Sequence, residues 1–483
     1  MNITRKEFIR EYIKAINGGY AAIFAGAGLS RASGFVDWKE LLRELADDIS
    51  LDVDKENDLV ALAQYYRNER GNRTTLNQLI IDKFSYGTKH NQNIEILAQL
   101  PIGTYWTTNY DTLLEKEFEK QQKIVDKKVD PSNMSTSLQN RDIILYKMHG
   151  DVLDPANAIL TKDDYETYHL SRQLFITALQ GDLVSKTFLF IGFSFEDPNL
   201  SIILSRIRSM LNDNQRIHYC ILKRVSEIDY TTKEDFVYAT VKQEHKIRDL
   251  QRYSINILLV DDYSEITDIL REIKHLYLTN RIFVSGSAVE YGKWENAPQF
   301  LMNLSSKLIS LDYHIVTGFG NGIGSYIISG ALNQIMNYKR MNVDKYLTMR
   351  PKPEVQQEYS DSVKIKEQYH NMMISSCGII IFVFGNKLKG KTIIDSDGII
   401  DEFNMAIKNN LFIIPIGSTG YMTQKIALYL KKNLSQFYYL EKHIEKLMNC
   451  NVPDEIIDSI ILIINEIRYA KHSPQYTNLS IEK

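Results

Sequence analysis

The sequence predicts an α/β protein built from two Rossmann-like parallel-sheet domains, and three observations carry that expectation. Short, nearly continuous apolar runs recur, such as FLFIGF at 188–193 and INILLV at 255–260; strands covered on both faces read this way. The runs alternate with amphipathic helical stretches, as strands joined by crossover helices do. After residue 280 the pattern restarts with new strands and new glycine-rich turns.

The first series opens with a helix over 5–17, a strand over 20–25, a glycine turn and a helix over 37–49. Further helices fill 57–100, and strands follow at 102–107, 143–147, 187–192, 216–222 and 255–260. A helix over 263–278 leads into the second series: strand 281–286, helix 296–310, strand 313–317, a glycine-rich turn, helix 324–337, strand 379–384, helix 399–409 and strand 411–416. The boundary is placed at Thr279–Asn280, giving domains over 1–279 and 280–483. The isoleucine-rich segment Ile456–Ile467 reads as a packing helix in preference to an oligomer contact.

Composition narrows the function classes. The 483 residues are 44% hydrophobic and 24% charged, ordinary values for a globular protein with a full core. A net charge of −3 supplies no global attraction to nucleic acid or anionic lipid. The three cysteines, Cys220, Cys377 and Cys450, are odd in number and far apart. They form neither a disulfide framework nor a zinc site, so a reducing cytoplasm and no metal are expected. The segment MNITRKEFIREYIKAING reads as a charged amphipathic helix, not a signal peptide, and the apolar runs fall well short of the ~20 residues a membrane helix needs.

Four small polar motifs follow strands in the first series. Ala25, Gly26, Ala27, Gly28 and Ser30 form a strand–turn–helix in which glycines let backbone N–H groups approach a pyrophosphate. Asp37 follows in the next loop. Thr108, Asn109 and Asp111 come directly after strand 102–107; helix capping explains those residue types equally well. His149, followed by glycine at the tip of strand 143–147, is a poised and partly exposed imidazole, a group that changes charge near neutral pH. Gly192, Ser194 and Asn199 lie in GFSFEDPN after strand 187–192. Any one motif is explicable as turn chemistry, whereas four at successive strand ends point to a ligand pocket.

In the second series Gly286 and Ser287 end the first strand, and Gly318, Gly320 and Gly322 form a turn fit for close approach to phosphate. Lys387 adds a cation at another strand end. Gly398 and Glu402 open a helix, where a carboxylate either binds ribose hydroxyls or merely favours the helix dipole.

GAGLS at 26–30, GFVDW at 34–38, TTNYD at 107–111, HG at 149–150 and GFSFEDPN together resemble the sirtuin superfamily over residues 15–275. The resemblance implies NAD as substrate, with Asn109 orienting water or ribose hydroxyls and His149 accepting a proton. The two C-x-x-C pairs of deacylating sirtuins are missing, which counts against deacylation. The second series resembles the SLOG family of nucleotide-sensing domains over 281–470. Sirtuin-like then SLOG is the order of the effectors of the Thoeris anti-phage system. That likeness implies an activator, a cyclic ADP-ribose isomer made by a TIR-domain partner, no resident cofactor, and a homo-oligomer, a tetramer by resemblance. Gly286, Ser287, Gly318, Gly320, Lys387, Gly398 and Glu402 would form the effector pocket. His370 stands where relatives carry Arg, so a planar phosphate fork is lost; either His370 itself or Arg350 substitutes, or the ligand differs. Two other readings stay open, an NAD-dependent protein deacylase and a nucleotide-binding signalling module without catalysis.

Overall fold

The computed structural model describes residues 3–56, 58–85, 89–339, 342–351, 362–469, 474–477 and 479–481. Two compact units emerge, residues 1–274 and 275–483, and the division falls inside the helix Ser264–Thr279.

The first unit is a seven-stranded sheet: β1 (Ala21–Ala25), β2 (Thr104–Thr107), β3 (Val125–Lys128), β4 (Ile143–Lys147), β5 (Thr187–Ile191), β6 (His218–Lys223) and β7 (Ile255–Val260). Their order is β3-β4-β2-β1-β5-β6-β7, and every pairing is parallel. β1 and β5 are buried along their whole length. Phe24, Phe188 and Phe190 pack with Phe175 and Leu179 of the helix Gln173–Ser185 and with Ile203 and Leu204 of the helix Pro198–Leu211. β1 has β2 on one side and β5 on the other, so the chain reverses its direction of strand addition at β1. Parallel sheets open a crevice at the carboxyl ends of strands at such a point.

The second unit holds β8 (Arg281–Ser287), β9 (His314–Thr317), β10 (Leu347–Met349), β11 (Ile379–Phe384), β12 (Asn386–Lys389), β13 (Thr392–Asp395) and β14 (Phe412–Pro415). Five of these form a parallel sheet in the order β10-β9-β8-β11-β14, with the same reversal at β8. β12 and β13 make a separate antiparallel hairpin whose tip, Gly390, has φ +64°. Gly320 is required here: a Cβ on it would lie 1.9 Å from the Gly286 carbonyl oxygen.

Three features differ from the expected elements. β3 reads VDKK, and its polar residues conceal it, because Asp126 and Lys128 are buried as an ion pair of 2.9 Å. β10 spans only three residues. The hairpin turns Leu388 outward while burying Asn386, which inverts the usual apolar-in pattern. Among the described residues no helix is long and apolar enough to cross a membrane.

The helix Pro453–Tyr469 buries Ile456, Ile457, Ile460, Ile463, Ile464 and Ile467 in the core of its unit, as expected for a packing helix. Ile460→Ala, at a fully buried position, is expected to cost about 2–5 kcal/mol. Leu462→Ala, on the exposed face, is expected to stay within ~0.5 kcal/mol. Chemical denaturation of the two variants measures the contrast.

Candidate active site

β4, β2, β1 and β5 are consecutive neighbours, so their carboxyl-end motifs meet along one edge. The turns after β1 and β5 lie backbone against backbone. Gly26 N–H donates to the Ile191 carbonyl at 2.9 Å and Gly28 N–H to the Gly192 carbonyl at 2.8 Å. Gly192 has φ +65°, and a Cβ there would lie 2.2 Å from the Leu29 nitrogen. The N–H groups of Gly26 and Gly28 are thus bonded within the protein, and these glycines permit the contact of two turns. The helix they open, Ala27–Arg31, has only five residues.

Asn109 is locked from two sides. Its Nδ2 donates to the Gly26 carbonyl at 3.1 Å and to Ser30 Oγ at 2.9 Å, while Ser30 donates to Asp111 Oδ2 at 2.8 Å. Thr107 Oγ1 accepts from Asn109 N–H and donates to the Ala25 carbonyl. Asp111 Oδ1 accepts from Leu113 N–H at 3.0 Å, so this residue both holds Ser30 and closes the local turn. A small cleft lined by Ala25, Leu29, Ser30, Thr107, Asn109 and Asp111 offers about 10 Å³, room for about one water. Asn109 Oδ1 is buried without a protein partner. Thr108 beside it is half-buried.

His149 is 5% exposed, which corrects the expectation of a partly exposed imidazole. Tyr165 and Tyr168 meet its ring edge-on at 5.6 and 6.3 Å, and the loop after β5 reaches back over β1 and β2 to meet it. From that loop Asp197 Oδ2 comes to 2.9 Å from His149 Nε2, a charge contact without hydrogen-bond angles. Burial raises the Asp197 carboxyl, but His149 and the backbone N–H groups of Leu200 and Asn199 hold it below the usual carboxylate range. Asp197 also caps the helix Pro198–Leu211; its place before a proline signals only a cap, which hid its second contact. Asn199 is buried with Nδ2 unpartnered, and Ser194 is exposed. Asp37 caps the helix Trp38–Asp48 and pairs with Arg31 at 3.3 Å, a structural arrangement. Its neighbour Trp38 has a buried Nε1 without a partner. Leaving such a group unmet costs about 1–3 kcal/mol, so polar atoms of this kind call for a water or a ligand.

Lys147 escaped the sequence reading. Fully buried, it donates to the carbonyls of Tyr110 (3.1 Å) and Asp111 (2.5 Å) and pairs with Glu115 (3.1 Å) and Asp151 (3.0 Å). Burial lowers its pKa, but Glu115, Asp151 and Asp111 outweigh that and hold it above its ordinary value. Burial likewise raises Asp151, while Lys147 and Lys127 bring it below the usual range. This cluster anchors the segment that carries Asn109.

In the second unit the ends of β8, β9, β10 and β11 share one edge. Gly286 and Gly320 are in backbone contact, and Ser287 Oγ donates to the Asn386 carbonyl at 3.0 Å. Gly318 is open, since a Cβ there would meet nothing within 3.8 Å. Arg350 is exposed, with its N–H bonded to the Thr317 carbonyl at 3.1 Å. Glu402 is buried; it accepts from Ser285 Oγ, and one oxygen lies 2.9 Å from His370 Nε2. His370 thus faces an internal carboxylate in this structure. Lys387 lies 2.5 Å from Asp397, the residue before Gly398 at the start of the helix Asp397–Lys408.

Parallel sheets that gather glycine turns and constrained polar side chains at a topological switch point define a nucleotide-binding α/β protein. Residues 103–255 match the SIR2-like domain family and residues 265–467 the Sir2- and TIR-associating SLOG family. The NAD(+) hydrolase ThsA of Bacillus cereus (strain MSX-D12) is 45% identical over 445 residues, covering 91% of this chain and 92% of that protein. NAD(+) hydrolase ThsA of Enterococcus faecium is 42% identical over 480 residues, 96% and 99% of the two chains. Defense-associated sirtuin 2 of Bacillus subtilis is 25% identical over 237 residues, 47% of this chain and 23% of that one. The chain belongs to the ThsA family of NAD(+) hydrolases.

Lys147→Met would leave the buried Asp151 and the half-buried Glu115 against an apolar side chain, at an expected cost of about 3–5 kcal/mol. A lowered carboxyl such as Asp151 stabilises the fold above its unfolded pKa, near 4, and loses that contribution as pH falls through its folded value. The difference in unfolding free energy between wild type and variant should therefore narrow from neutral pH to about pH 3, as urea titrations at the two values will register.

Proposed function

We propose that this chain hydrolyses NAD to nicotinamide and ADP-ribose at the first unit's site. The observation that carries the reading is Asn109: its amide nitrogen is bonded on two sides, and its buried Oδ1 has no protein partner. An acceptor so constrained suits a water or a ribose hydroxyl. The C1′–N bond breaks with its electron pair leaving on nicotinamide, which departs neutral and needs no acid. Water then bonds C1′ and gives its proton to His149, which passes it to solvent. No resident cofactor or metal enters this sequence.

The second unit is read as the sensor of a cyclic ADP-ribose isomer made by a TIR-domain partner, in a cytoplasmic anti-phage response that depletes NAD. Its match to a Sir2- and TIR-associating SLOG family supports this, as does the polar edge around Gly318, Arg350 and Lys387. Driving a two-state protein from 1:99 to 99:1 needs about 5.5 kcal/mol of differential binding, while one site typically supplies about 1–3 kcal/mol. A concerted homo-oligomer, such as a tetramer, closes that gap by summing sites.

Asn109→Ala and His149→Ala are each expected to slow NAD cleavage at least ~10²-fold, with products followed by mass spectrometry. Wild-type rates in either folded variant would remove that residue from the mechanism. O-acyl-ADP-ribose formed only with acyl-lysine present would replace hydrolysis by deacylation. Lys387→Ala and Glu402→Gln should raise the half-maximal concentration of cyclic ADP-ribose isomer about tenfold while leaving the saturated rate unchanged.

A further inference from the structure

The two oxygens of Asp197 are divided between two tasks. Oδ1 accepts from Leu200 N–H at 2.8 Å and caps the helix Pro198–Leu211, while Oδ2 lies 2.9 Å from His149 Nε2. A cap alone needs no charge, since Ser, Thr and Asn serve as well as Asp. It needs no burial either, yet this carboxylate is 9% exposed and sits at the far end of a loop that crosses two strands to reach His149. The other groups against the imidazole, Tyr165 and Tyr168, are held neutral because burial pushes both phenols well up. Nearby Arg73 and Asp164 neutralise each other at 2.7 Å. Asp197 is thus the charged group placed on the ring.

We propose that Asp197 is a positioning residue for NAD cleavage: pinned by its helix cap, it keeps a proton on the facing nitrogen of His149 and stabilises the imidazolium formed when the opposite nitrogen takes the proton of water. The inference rests on the NAD-cleaving reading of the site. A fixed carboxylate sets the tautomer of a histidine and lowers the cost of charging it. The contact, now poorly angled, tightens as charge develops on the ring, as hydrogen bonds in unliganded sites commonly do.

The test uses the full-length protein with Asp197→Asn, which keeps the cap acceptor and the shape, and Asp197→Ser, which keeps the cap alone. Both should unfold near the wild-type midpoint. Their kcat for NAD should fall about 10- to 100-fold, with KM changed less than about threefold. The acid limb of the kcat–pH profile should move to lower pH, as removing a negative charge beside an imidazole requires. Asp58→Asn, at another helix cap (Asp58 accepts from Ala61 N–H), should change none of these. A wild-type rate, a gain in rate, a loss confined to KM or an unmoved pH profile would each overturn the proposal. Should the wild-type protein cleave no NAD, the reading of the reaction fails instead. The coupling is then still measured by NMR titration of the His149 imidazole, whose midpoint Asp197→Asn should lower; an unchanged midpoint overturns it.

Discussion

The approach of the turn after β5 to the turn after β1 is the constraint on which the first site depends. It is possible only because Gly26, Gly28 and Gly192 carry no side chain where the two backbones touch. From that contact follow the positions of the Gly26 carbonyl, which holds Asn109, and of the loop that delivers Asp197 to His149. The sheet supplies the edge, but the glycines decide how closely its neighbouring corners come together. Lys147 acts from the other side, tying the Tyr110–Asp111 backbone to a buried charge cluster. Backbone contact above and a buried cation below leave Asn109 little freedom, which is what a group acting by orientation needs.

The second sheet repeats the device with other side chains. Its reversal at β8 again brings small residues and polar groups to one edge, and Gly320 again permits a backbone contact. What differs is the treatment of charge. Glu402 is buried and tied to Ser285 and His370, whereas Lys387, paired with Asp397, lies nearer solvent. The first edge holds its polar groups in a closed network, and the second leaves its cation nearer the surface.

Much of this was legible in the residues, for identifiable reasons. Strands such as AAIFA, TFLFI and IIIFVF announce themselves because burial on both faces demands unbroken apolar runs. The four motifs around Asn109 and His149 were visible because each follows a strand, although TYWT and IILYK are less uniformly apolar. β3 was not, since its buried Asp126 and Lys128 satisfy each other and look like surface residues in one dimension. Asp197 and Lys147 were missed for a related reason. Most of their partners lie in other segments of the chain, and a pairing between residues 149 and 197 leaves no local pattern. The burial of His149 likewise depends on Tyr165 and Tyr168, which arrive from a separate segment.

The sheet order also bears on how such a protein is made. β5 is the fifth strand in sequence but the immediate neighbour of β1 in space, so a ribosome has to deliver residues 187–199 before the corner at Gly26 acquires its partner. Until then β1 has an open side, His149 lacks Asp197, and nothing seats the glycine turn. A nascent chain therefore carries Asn109 and His149 for many tens of residues of synthesis without a formed pocket.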